Sequence, residues 1–204
     1  MTPRRPVYPE QNIFVHPASF YELKGSIYQS KSIHMPTNAY MFLVAGLIPL
    51  IIGAVYYHPK VAGGAWMKTN NFTEESLKGG NMAVIFGLAY LFSVLIAFIM
   101  SSMVIHQGGA FSMMYPDLLE SGSAAQIEFN SLMERYGANS RSFAHGALHG
   151  FIVTVFFVLP LIGTIALFER RGWKYVLIHF IYWLICLVLM GGVICSTLQY
   201  APLQ

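Results

Sequence analysis

The sequence predicts an all-α, polytopic integral membrane protein whose four transmembrane helices form an antiparallel bundle. Of its 204 residues, 55% are hydrophobic and 10% charged, whereas a soluble domain carries charge at roughly a quarter of its positions. Mean hydropathy is +0.54. The apolar residues gather in four blocks, at about 40–57, 82–105, 143–168 and 175–198. Each is close to the roughly 20 residues that cross a hydrocarbon core about 30 Å thick. None of the four contains Asp, Glu, Lys or Arg, which suits segments that meet lipid and satisfy their own backbone groups as helices.

Residues 1–39 read as a tail. Pro3, Pro6 and Pro9 disfavour helix at its start, and it holds no apolar stretch of the kind a cleavable signal needs. Insertion is therefore expected to rely on the first span. Tyr8, Phe14, Phe20, Tyr21 and Tyr28 give the tail aromatic surface that suits packing on a partner, with a short interfacial helix at 20–30. The first span carries Pro49, which predicts a kink, and ends on the interfacial pair Tyr56 and Tyr57. In the following connection, Thr73 and Ser76 bracket two acids and mark a helix start.

The second span bears Ala89, Ser93, Ala97 and Ser101 at intervals of four, a small-residue stripe suited to close helix contact in lipid. The loop at 108–142 is long enough to need structure of its own. Within it, Ser123 with Gln126 predicts a capped amphipathic helix running to about Tyr136 and lying on the membrane surface. The third span opens with Gly146 and Gly150 in GxxxG spacing and contains Thr154 and Pro160, predicting tight packing and a second kink. A polar turn at 169–174 makes spans three and four a hairpin. Cys186 and Cys195 lie nine positions apart in span four, on opposite sides of one helix, so they cannot pair with each other.

The 12 Lys and Arg residues divide equally between the two sides of this topology. Weighting those near the span ends favours the two short connections as the inside, which places both termini outside. With a formal net charge of only +3 and no continuous basic stretch, nucleic acid is excluded as a partner. The absence of ionisable groups from the spans argues against a coupled transporter. No nucleophile with an attendant base and no phosphate-binding glycine loop appears.

The histidines are the remaining carriers of chemistry. His145 and His149 share one face of the third span. Antiparallel connectivity brings His106, at the end of the second span, to the same side of the membrane, and His34 lies on that side as well. His106, His145 and His149 are thus a candidate site for Zn²⁺ or Cu²⁺, with Glu120, Glu128 or Glu134 from the long loop available to complete the shell. The pair lacks the glutamate of a zinc-protease helix, and histidines at an interface are more often solvated structure. Haem would need facing histidines, and the one pairing across spans is His58 with His179; both have easier roles as interfacial anchors.

Segments Gly53-Ala54-Val55-Tyr56-Tyr57-His58-Pro59, Ala65-Trp66-Met67-Lys68, Gly79-Gly80-Asn81-Met82 and Leu167-Phe168-Glu169-Arg170-Arg171 resemble an uncharacterised bacterial membrane family, domain of unknown function seventeen sixty-one, in versions from the Bacteroidetes. The resemblance covers about residues 40–198. It implies a compact four-span bundle in a bacterial inner membrane and no activity, substrate or cofactor. The expected function is a non-catalytic structural or accessory subunit, packed against the lipid bilayer and other membrane subunits or a second copy. The alternative is binding of a metal or small ligand at the histidines.

Overall fold

The computed structural model describes residues 36–201 and residue 203. His34 and the expected interfacial helix at 20–30 lie outside the described residues. The helices are α1 (Met41–Tyr56), α2 (Gly64–Asn70), α3 (Glu74–Leu77), α4 (Met82–Val104), α5 (Gln107–Met114), α6 (Ala124–Tyr136), α7 (Phe143–Phe168) and α8 (Trp173–Thr197). Among the described residues there is no strand, only an isolated bridge between Pro36 and Tyr200.

Helices α4, α7 and α8 are each long and apolar enough to cross a membrane. Helix α1 is shorter, at 16 residues. It continues through Pro49, and the bend comes later, where the pair α1 and Pro59–Asn70 breaks by 60°. There the His58 carbonyl accepts from Gly63 N–H five residues on, a π turn. Glycine is required at 63, because a Cβ would collide with the Tyr57 carbonyl oxygen.

Pro160 follows a local change in the hydrogen-bond pattern of α7. Its ring would press on the carbonyl four residues back, and the backbone widens into a π turn over Thr154–Val158, in which Leu159 N–H reaches the Thr154 carbonyl.

Helix α8 is central and packs on α1, α4 and α7. This explains why Cys186 and Cys195, on opposite sides of α8, are both fully buried and free. The core gathers Ala45, Ala97, Met100, Val104, Leu187, Met190 and Ile194. The small-residue faces are closed within the chain. On α4, Ser93, Ala97 and Ser101 are buried while Ala89 is exposed; on α7, Gly146, Gly150 and Thr154 are buried against α8. The outward surface is apolar, as at Phe98, Phe156 and Leu161, which fits helices whose solvent is lipid.

Hydrogen bonds place both ends of the bundle. Thr37 N–H donates to the Gln199 carbonyl at 2.8 Å, and Asn38 Nδ2 to the Thr197 carbonyl at 2.8 Å, so α1 starts where α8 ends. Tyr56 Oη donates to the Ile178 carbonyl at 2.9 Å, and Tyr182 Oη to the Pro49 carbonyl at 2.9 Å. Helix α1 therefore runs antiparallel to α8 and finishes near its N-terminal third.

In the long loop, α6 has the predicted bounds. Ser123 Oγ accepts from Gln126 N–H at 3.1 Å, and Gln126 Oε1 reaches back one residue beyond the cap, to Gly122 N–H at 2.6 Å. The apolar side of α6 is covered by protein: Phe129 packs with Leu118 and Leu203 in a second small core. Replacing Ser123 by Ala should cost about 1 kcal/mol, read as about fivefold faster amide exchange in the first turn of α6 with α4 unchanged. Unchanged exchange in that turn would show that the cap contributes nothing.

Candidate metal centre

The chain leaves helical geometry at Ile105, which is extended with φ −113° and ψ 97°. This turn places His106 at the head of α5. Gln107 secures it there, its Nε2 donating to the carbonyls of Gly137 at 2.8 Å and Asn139 at 3.2 Å. The end of α4 is thereby tied to the strip of chain that leads into α7.

Helix α7 begins on Ser142, whose Oγ accepts from His145 N–H at 3.2 Å. Its rotation about its own axis is set by glycine. A Cβ on Gly146 would collide with the Gly191 carbonyl oxygen, and one on Gly150 with the Leu187 carbonyl oxygen. The two backbones are therefore in direct contact along that edge. His145 and His149 each precede one of these glycines, so they sit about 100° around the helix from the contact and face the end of α4.

The three rings meet there. His106 Nε2 lies 2.9 Å from His145 Nε2, one ring donating and the other accepting. Ring centroids are 5.0 Å apart for His106 and His145, 5.0 Å for His106 and His149, and 4.7 Å for His145 and His149. One ring nitrogen from each residue falls within 4.8 Å of the other two. Nitrogens bound at 2.0–2.1 Å to a tetrahedral ion stand about 3.3 Å apart, so modest side-chain rotation brings all three onto one ion. His106 is exposed and His145 and His149 are half-buried, which leaves the cluster open for an ion to reach. Three nitrogens would fill three positions and leave a fourth for water or another ligand.

The predicted carboxylates do not join this group. Among the described residues the cluster contains His106, His145 and His149 alone, without Glu120, Glu128 or Glu134. His58 and His179 are engaged elsewhere. His58 Nδ1 accepts from Lys60 N–H at 3.2 Å, and His179 Nδ1 lies 3.1 Å from Tyr57 Oη within an aromatic group that includes Tyr175 and Tyr182. Sequence reasoning missed Gly191, whose close approach to Gly146 helps set the azimuth of the histidines. The adjacent pair Gly191-Gly192 inside an apolar block was the available signal.

The fold and this cluster define a polytopic α-helical protein whose three grouped histidines have the spacing to hold a metal ion. Residues 40–195 match the family model described as "Protein of unknown function (DUF1761)", and the chain belongs to that family. Neither the curated proteins nor the solved structures give a match.

Proposed function

We propose that the protein is a metal-binding membrane protein that crosses a bacterial inner membrane four times and holds a divalent transition-metal ion, Zn²⁺ or Cu²⁺, on His106, His145 and His149 at one membrane face. The observation that carries this reading is the convergence of three imidazoles from two helical segments, with ring nitrogens within 4.8 Å. Neutral imidazole suits both ions. The fourth crossing is α1, supported by hydrogen bonds that join its start to the end of α8 and its end to Ile178.

The competing reading, a non-catalytic accessory subunit, relies on small-residue faces for contact with other subunits. Those faces are largely spent inside the chain, which makes the histidine cluster the stronger basis.

Detergent-purified protein loaded with Zn²⁺ and freed of excess ion should retain about one ion per chain at neutral pH. Affinity should fall steeply towards pH 5, because protons compete with metal for the imidazole lone pairs. Elemental analysis and a chelator competition titration read both effects. Sub-stoichiometric metal after loading, or affinity independent of pH, would overturn the assignment.

A further inference from the structure

A cavity of about 550 Å³ lies beneath α6, bounded by that helix, the end of α4 and the segment after α8. It is partly open, and its walls include Ile105, Phe129 and Met133. Two residues that line it hold a polar atom left incomplete: Gln107 Oε1 and Arg141 Nη1 are buried and have no hydrogen-bond partner among the described residues. The other arm of Arg141, Nη2, donates to the Leu198 carbonyl.

Arg141 also has no ion pair among the described residues. Burial pushes the Tyr200 hydroxyl above its ordinary range, with Arg141 and a Ser101 hydrogen bond drawing it partly back, so the neighbouring tyrosine supplies no negative charge. A cationic donor and an acceptor shut away without partners beside one apolar-walled space are costly unless something fills both needs.

We propose that this cavity seats a phosphate-bearing headgroup that also carries a hydrogen-bond donor, of the phosphoethanolamine type. With a modest rotation of each side chain into the cavity, a phosphate oxygen accepts from Arg141 Nη1 and the ammonium donates to Gln107 Oε1, with Glu134, also on the cavity wall, adding a counter-charge for the ammonium. The apolar walls take the adjoining glycerol and the start of the acyl chains. The same chemistry is offered by a membrane lipid or by the free phosphodiester.

Native mass spectrometry of the intact chain, stripped of metal, tests this with phosphatidylethanolamine, phosphatidylcholine and diacylglycerol added at equal concentration. Phosphatidylethanolamine should be retained at least ~10-fold better than either, because phosphatidylcholine lacks the donor and diacylglycerol lacks the phosphate. Arg141→Gln should abolish the preference. Displacement by free glycerophosphoethanolamine would identify the soluble headgroup as sufficient; retention against it would identify the lipid as the ligand, and either supports the cavity assignment. Equal retention of phosphatidylethanolamine and phosphatidylcholine by the wild-type protein, a comparison that needs no variant, would overturn it. So would an unchanged preference in Arg141→Gln.

Discussion

His145→Ala and His149→Ala are each expected to weaken Zn²⁺ binding by more than about 100-fold. Loss of a mere outer-shell partner commonly costs 10–100-fold, and these substitutions remove one of three nitrogens that lie within 4.8 Å of one another. The described residues place no carboxylate in the cluster to substitute for the missing ring. His106→Ala should match them, because its Nε2 stands 2.9 Å from that of His145. His58→Ala is the control: its ring caps a turn near Lys60 and should leave metal affinity unchanged. A chelator competition titration on folded protein decides the matter. Wild-type affinity in His149→Ala would remove the three-histidine site from consideration.

Gly150→Ala should destabilise the bundle by about 2–3 kcal/mol, at the upper end of what overpacking costs. The added methyl meets the Leu187 carbonyl and the Val188 backbone nitrogen, and backbone cannot rotate aside as a side chain can. Helices α7 and α8 must separate. Gly163→Ala, on the same helix and with open space around the new Cβ, should be neutral or mildly stabilising, since alanine is the better helix former by roughly 1 kcal/mol. Denaturation in mixed micelles compares the two directly. Equal stability would mean that the glycine edge does not hold the helices together. Because that edge also aims His145 and His149, Gly150→Ala should lower metal affinity while leaving all three ligands in the sequence.

Local signals in the chain translated well into local structure. The apolar blocks at 82–105 and 143–168 became α4 and α7 almost to the residue, because uninterrupted apolar composition and helical backbone satisfaction are enforced together in lipid. Ser123 and Gln126 announced α6 through capping chemistry that acts within one turn. Helix α5 falls at the head of the loop expected at 108–142, where Gly108 and Gly109 give weak helix propensity; in the fold Gln107 anchors its start to the carbonyls of Gly137 and Asn139. Around the two prolines the backbone shows a π turn ahead of Pro160 and a 60° break after α1, past Pro49.

The sequence by itself determined that this is an all-α chain with helices long and apolar enough to cross a membrane, where those helices lie, that His145 and His149 share one helix face, and that His106 lies at the same end as that pair. Each follows from composition or from helical periodicity. Only the tertiary structure decided that the three rings meet, that Glu120, Glu128 and Glu134 stay out of the cluster, and that Gln107 and Arg141 line one cavity. Those outcomes depend on the azimuth of α7 against α8 and on the path of the loop between α4 and α7. Both are set by contacts between residues far apart in the chain, such as Gly146 with Gly191 and Arg141 with Leu198, which helical periodicity does not encode.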